Sequence, residues 1–351
     1  MRVLMVAERY RPAIGGVEKH IEHVVDILNS RGLHVTILAG ASSPLLPCIE
    51  SSEQCMILRV PQGWGKNPFL FCLWTLYNRR AMSNFDLFHF HDTLVLMSCG
   101  IPLMLLQPRT PRFATFHGYE QDPVPMVWQV ARRIASRLVR GSICVGSFIR
   151  KAYGIHCDLD SIGAVERPGP VVGGGKGAIF VGRLEEDTGI LKYVDALRIV
   201  RDRYLIDLPL TVCGSGSLDE RVREAAFTAR LAAELLGPIS SPMTVLAKGQ
   251  VCLAAGYLSM LEAMSTGLPV IGIAKSPLRM AYLKSMRGAG APISIQTTTD
   301  GVAREIARII GDDRLRASLA NRGRAFAAKM TWERMTDLYI QLWSKGSAPK
   351  P

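Results

Sequence analysis

The chain has 351 residues, 48% of them hydrophobic, with a mean hydropathy of +0.16. That length exceeds one ordinary core, so two domains are expected, and the composition excludes a disordered protein. Lys and Arg number 42 against 30 Asp and Glu, a net charge of +12 that favours nucleotides, phosphorylated sugars or acidic lipid head groups. The basic residues are scattered, with no long basic run interleaved with aromatics, which argues against nucleic acid.

Met1 leads directly into a strand-like run, RVLMVA, with no signal-peptide pattern. A Pro/Gly loop, ERYRPAIGG, precedes an amphipathic helix, VEKHIEHVVDILNSRG, and a second strand, HVTILAG. Strand, glycine loop, helix and strand open a parallel α/β sheet. Further on, helices are expected around Pro68–Met82, Leu94–Leu106 and Met126–Arg140, with a helical start at Ser147–Tyr153. Strands are expected at Leu87–Phe90, Arg112–Phe116 and Ser142–Val145. The longest uncharged stretch, Thr93 to Pro108, contains Pro102 and falls short of a transmembrane helix.

VVGGGKG at residues 171–177 has linker chemistry. A second α/β series follows: AIFVGRL, a helix at Ile190–Tyr204, LPLTVCGSG, a helix at Leu218–Leu231, AELLGP, a short helix near Met243–Ala247 and the strand VCL. After these come GYLSMLEAMST as a helix, the strand PVIGIA, and helices at Asp300–Ile310, Asp313–Lys329 and Thr331–Ser344. The expected division is residues 1–170, a linker at 171–177, residues 178–329, and a C-terminal helix and tail at 330–351. The eight cysteines show no CxxC and no metal-type grouping with histidine, and read as buried free thiols of a reducing compartment. A cytoplasmic location is expected, with attachment to the inner face of the cell membrane as a peripheral variant.

Ligands of open parallel sheets bind at the carboxyl ends of strands, so the loops there are informative. Gly15-Gly16 precedes a helix N-terminus, which suits a phosphate, although a tight turn alone would explain the pair. It is not the GxGxxG fingerprint, so a nicotinamide cofactor is poorly supported. His117, after a strand, is placed to exchange a proton near neutral pH or simply to hold its loop. Arg183, behind Gly182, suits a diphosphate. Gly214 and Gly216 fit either an ordinary connection or a ligand's close approach. Glu262 is a lone acid in an apolar stretch, placed to accept hydrogen bonds from a ribose diol or to pair with a buried Arg.

Taken in order, these segments resemble the group-1 glycosyltransferases of family 4. RPAIGGVEKHIEHVVDILNSRGLHVTIL, FDLFHFHD and FHGYE are similar to that family's acceptor domain. FVGRLEEDTGI, LTVCGSGSL, LLGPI and LSMLEAMSTGLPVIG are similar to its donor domain, and MTWERMTDLYIQLW to its returning helix. The resemblance implies a GT-B fold: two Rossmann-like domains facing each other across a cleft, the C-terminal helix crossing back to the first. It implies sugar transfer with retention of configuration from a UDP- or GDP-linked donor to a glycan, lipid-linked or small-molecule acceptor, with no metal or other cofactor. Carried over by position, Arg183, Thr188, Gly15, Gly16 and Gly256–Ser259 (Gly256, Tyr257, Leu258, Ser259) would meet the donor diphosphate. Gly214, Gly216, Gly237, Ile239 and Glu262 would meet the nucleoside, and His117 and Glu262 would serve catalysis.

Two positions depart from the pattern. The family carries two glutamates flanking seven residues, and eight residues before Glu262 stands Ala254. It also carries a lysine in RLxxxKG where this chain has Thr188. A charge-assisted hydrogen bond is worth roughly 1.5–3 kcal/mol, so either loss would slow turnover by an order of magnitude if uncompensated. Lys192 and Lys248 are near in sequence only. A catalytically silent nucleotide-sugar or partner-binding protein on the same fold is therefore the second reading, and a sugar-nucleotide epimerase the third. MVWQVARRIASRLVR sets Trp128, Ile134 and Leu138 against Arg132, Arg133, Arg137 and Arg140, a basic amphipathic helix suited to anionic lipid or to ordinary packing.

Overall fold

The computed structural model describes residues 1–51, 55–65, 67–167 and 175–347. The chain forms two compact units, Met1–Ser161 with Trp332–Pro351, and Ile162–Thr331. Most of the expected glycine linker, through residue 174, lies outside the described residues.

The first unit is built on eight strands: β1 (Arg2–Arg9), β2 (His34–Gly40), β3 (Ile49–Ser51), β4 (Met56–Val60), β5 (Leu87–His91), β6 (Arg112–His117), β7 (Gly141–Val145) and β8 (Leu159–Ser161). Their order is β3-β4-β2-β1-β5-β6-β7-β8, parallel except for β3 against β4. Val3 to Val6 of β1 are fully buried, as a central parallel strand covered on both faces should be. The helix Gly16–Ser30 lays Ile21, Val24, Val25 and Leu28 on the core, a stripe at helical spacing. The helix Trp332–Ser347 buries Trp332, Met335, Tyr339, Leu342 and Trp343 in this unit. Leu342 packs so closely on β7 that a Cβ at Gly141 would come within 2.9 Å of its side chain.

The second unit holds β9 (Ala178–Val181), β10 (Leu210–Cys213), β11 (Ala233–Gly237), β12 (Val251–Ala254), β13 (Val270–Ile273) and β14 (Ile293–Gln296). All its pairings are parallel, in the order β11-β10-β9-β12-β13-β14. This is the doubly wound order, and its switch point falls between β9 and β12. In the first unit the corresponding reversal lies between β1 and β5.

The expectation that every cysteine is a free thiol is corrected. Cys144 at the end of β7 and Cys157 just before β8 form a disulfide, because the parallel pairing of those strands brings their Cα atoms to 6.0 Å. Of the six free cysteines, Cys55, Cys99, Cys213 and Cys252 are buried and Cys48 is exposed.

Candidate functional site

In the first unit the carboxyl ends of β5 and β6 meet the helix Gly16–Ser30 in a cluster of four histidines. His91 Nδ1 lies 3.1 Å from His117 Nε2, and the two rings stack. The His20 ring stands perpendicular to that of His117 with centroids 4.9 Å apart, and His89 lies 5.2 Å from His91. Burial holds all four neutral. It pushes His89 and His117 down to about 3, His117 helped by His89 and the Arg132 charge. His20 and His91 are lowered as well, by burial first. Of the two roles open to His117, the lowered pKa favours a neutral hydrogen-bonding group in a half-buried position over proton exchange near neutral pH.

The loop after β5 anchors this histidine. Asp92 adopts a positive φ of 74°, a strained conformation for a residue with a side chain, and accepts a 2.7 Å hydrogen bond from the His117 backbone N–H. Its carboxyl is pushed up to about 7 by burial, against the opposing pull of Arg132. Arg132 itself is 1% exposed. Its guanidinium donates to Glu120 at 2.6 Å, to the Gly118 carbonyl at 2.9 Å and to Thr93 Oγ1 at 3.0 Å, and pairs with Asp92 at 3.4 Å. It also lies 4.0 Å from the centre of the Tyr153 ring, whose hydroxyl donates to Glu120.

This corrects the reading of Arg132 as part of a basic lipid-facing stripe. The planar fork satisfies several acceptors at once in the interior, which a solvated face would not require. Arg133 likewise donates to the Tyr153 carbonyl at 2.7 Å. The outward residues of the helix Met126–Leu138 are Met126, Val127, Val130, Ile134 and Arg137, with Met126 and Val127 68% and 69% exposed.

Gly15 and Gly16 open their helix as expected, but the carboxylate of Glu18 folds back against Gly15. It accepts a hydrogen bond from its own backbone N–H and pairs with Arg9 at 3.4 Å. The positive end of the helix dipole already faces an acid there.

In the second unit the predicted residues converge on the carboxyl ends of β9, β10, β11 and β12. The Gly182 N–H donates to the Cys213 carbonyl at 3.0 Å, and the Gly214 N–H to the Gly237 carbonyl at 2.7 Å. Gly214 has a φ of 143°, and a Cβ there would strike the Gly182 carbonyl. Close packing of one strand's loop on the next thus explains the glycine turn without a ligand. Ile239 follows, half-buried. Arg183 is exposed and pairs with Asp187 at 3.1 Å. Thr188 does not present its hydroxyl to a phosphate: it is buried and donates to the Glu185 carbonyl at 2.7 Å, closing the turn that it terminates.

After β12 the helix Tyr257–Thr266 begins at Gly256. The Gly256 N–H donates to Ser259 Oγ at 3.1 Å, and the Tyr257 N–H to Tyr282 Oη at 2.8 Å. Two of the amides of the phosphate cradle read at Gly256–Ser259, those of Gly256 and Tyr257, are therefore already bonded within the protein. Tyr257 and Tyr282 stack with centroids 4.0 Å apart. Glu262, at 3% exposure, lies on the buried part of the same helix, and Ala254 ends β12 in the core.

Two cations beside this site carry no motif. Lys275, two residues past β13, donates to the Glu186 carbonyl at 3.0 Å, so its ammonium sits on the turn that also holds Asp187 and Thr188. Arg279 is buried, donates to the Ala255 carbonyl at 2.6 Å and covers the Tyr282 ring. Their signal was Ser276-Pro277 after a strand, an N-cap and first-turn proline that start the helix Pro277–Gly288. Among the described residues, no group of three His, Cys, Asp or Glu side chains is arranged to hold a metal ion.

Two doubly wound units with functional groups at their strand ends have the architecture of the GT-B glycosyltransferases. Residues 14–161 match the family described as Glycosyltransferase Family 4, and residues 175–312 match Glycosyl transferases group 1. The chain belongs to this family 4/group 1 class and is a glycosyltransferase. It is similar to phosphatidyl-myo-inositol mannosyltransferase of Mycolicibacterium smegmatis, 24% identical over 366 aligned residues that cover 95% of this chain and 90% of that one. Sucrose-phosphate synthase from Thermosynechococcus elongatus shares the fold with a TM-score of 0.76 at 17% identity, covering 98% of this chain and 99% of that one. Anabaena HepE in complex with UDP and glucose gives a TM-score of 0.73 at 16% identity, covering 98% and 100%.

Proposed function

We propose that this protein transfers a sugar from a UDP- or GDP-linked donor to an acceptor hydroxyl, with retention of configuration and without a metal. The observation that carries the reading is the gathering of Arg183, Gly214, Gly237 and the start of the helix Tyr257–Thr266 at the carboxyl ends of neighbouring strands, at the switch point of the second unit's sheet. Such a place takes a nucleoside diphosphate, whose charge is met by cations and helix N–H groups. Arg183 binds the diphosphate, and Lys275 supplies the second positive charge that Thr188 does not. Those charges offset the negative charge that develops on the leaving nucleotide, the task a metal performs elsewhere. Glu262 holds the ribose diol, with Gly214, Gly216, Gly237 and Ile239 around the nucleoside. His117, kept neutral, hydrogen-bonds the transferred sugar, and Gly16 adds a backbone N–H. The unit of Met1–Ser161 with the helix Trp332–Ser347 is the acceptor side, and the unit Ile162–Thr331 the donor side.

The mycobacterial relatives are named for a phosphatidylinositol acceptor, and lipid-linked acceptors are the class we favour. The outward Met126, Val127, Val130 and Ile134, near Arg137, fit contact with an anionic membrane surface. Among the described residues, no helix is long and apolar enough to cross a membrane. The second reading, a silent nucleotide-sugar binder, draws on Ala254 and the inward Thr188. A thermal-shift screen of UDP- and GDP-sugars tests both. Stabilisation by one of them, lost in Arg183→Ala and Glu262→Ala, supports the site, and turnover of that nucleotide sugar separates the enzyme from the binder. No stabilisation at millimolar ligand removes both readings.

A further inference from the structure

The histidine cluster is wired to the C-terminal helix by a hydrogen-bond chain that can run in one direction only. Trp343 Nε1–H, which can only donate, lies 3.0 Å from His89 Nδ1. Nδ1 of the neutral His89 is therefore the acceptor and its proton is on Nε2, which lies 2.8 Å from Thr115 Oγ1. Having accepted there, Thr115 turns its hydroxyl proton to Tyr339 Oη at 3.0 Å. Tyr339 in turn gives its own proton to His20 Nε2 at 2.8 Å. Each link is buried, with His89, Thr115 and Tyr339 at 0% exposure, so water cannot substitute for a missing donor. One obligatory donor thus fixes two tautomers: His89 as Nε2–H and His20 as Nδ1–H.

A second pair completes the arrangement. Among the described residues, His91 Nε2 is buried with no hydrogen-bond partner. An unmet lone pair costs less than an unmet N–H, so the His91 proton belongs on Nδ1, where it is donated to His117 Nε2. His117 then carries its proton on Nδ1. The His117 ring is held from two sides, stacked on His91 and set against His20, whose orientation the chain determines.

We infer that Tyr339 and Trp343 are positioning residues for sugar transfer, fixing the tautomers of His20 and His89 and, through the packed imidazoles, the orientation of His117. The tautomer assignments stand on the hydrogen bonds alone; the effect on transfer rests on the proposed role of His117 at the sugar. Long-range 1H–15N NMR of the full-length, histidine-labelled protein reads the tautomers directly. Wild type should show His89 as Nε2–H, and His20 and His117 as Nδ1–H. Tyr339→Phe keeps the ring but cuts the chain below Thr115: His20 should become a tautomer mixture while His89 stays fixed. Trp343→Phe should release His89 as well. In both variants kcat should fall about fivefold, the worth of one neutral hydrogen bond, with the KM for the nucleotide sugar unchanged. A single Nδ1–H tautomer of His20 in Tyr339→Phe, or His89 found as Nδ1–H in wild type, overturns the chain. Released tautomers with unchanged kcat overturn the positioning role. Fixed wild-type tautomers in a protein that binds no nucleotide sugar would count against the proposed function and leave the chain standing.

Discussion

Arg132 is the residue on which the first unit's loops depend, because one buried guanidinium joins the ends of β5 and β6 through Asp92, Thr93, Gly118 and Glu120. Arg132→Met removes the positive charge and strands two partly buried carboxylates, a loss of about 3 kcal/mol, the lower end of the range for breaking a buried pair. Urea denaturation reads that loss, and Arg132→Lys should recover little of it, since an ammonium cannot reproduce the fork. Asp92 adds a pH dependence whose sign is fixed by its carboxyl being raised to about 7. The folded state binds this proton more tightly than the unfolded chain does. Its contribution to stability is complete below the ordinary carboxylate range and is lost as pH rises through about 7. Denaturation midpoints between pH 5 and pH 8 should therefore fall, and Asp92→Asn should flatten that part of the profile. None of this network was legible in the sequence. Arg132 sits among other arginines on a helix of amphipathic pattern, and its carboxylate partners are 12 and 40 residues away in the chain. The turns at Gly182-Arg183 and Gly214–Gly216 were legible because each directly follows its strand in the chain.

At the scale of elements, the turn after β9 and the end of β13 supply the two cations of the proposed diphosphate site. Titration calorimetry should show Arg183→Ala and Lys275→Ala each weakening UDP or GDP binding about tenfold, the loss of one charge-assisted hydrogen bond. Lys192→Ala should leave it unchanged, since that lysine's ammonium lies 3.9 Å from Asp195 on its own helix. For the helix Met126–Leu138, Val127→Asp with Val130→Asp should abolish sedimentation with anionic vesicles. Equal binding of the wild type to neutral vesicles would contradict the electrostatic part of that reading.

The long, strongly periodic elements were readable. The helix Ile190–Tyr204 falls where its pattern places it, β9 and β13 lie within their apolar runs, and β1, β5, β6 and β12 overlap theirs and run one or two residues further. The short ones were not: β3 and β8 have three residues each at the sheet edges, and β4 carries Arg59, a charge that masks a strand. Arg59 is tolerated because Glu50 lies 2.8 Å away and the Arg11 carbonyl accepts its proton at 2.9 Å. The helix Pro277–Gly288 and β14 were also missed, since charged and polar residues interrupt their apolar spacing.

For the molecule as a whole, both sheets are doubly wound, and each places its functional candidates at strand carboxyl ends. The net charge of +12 accords with an anionic donor. The family match assigns the class of chemistry, and Ala254 and Thr188 stand where the resembling family carries a glutamate and a lysine. The most direct test is nucleoside diphosphate release from a panel of UDP- and GDP-sugars at millimolar concentration, with lipid-linked, glycan and water acceptors. The account predicts release from at least one donor, an α-linked donor giving an α-linked product, with no activity in Arg183→Ala. A protein that neither binds nor turns over any nucleotide sugar under these conditions would contradict it.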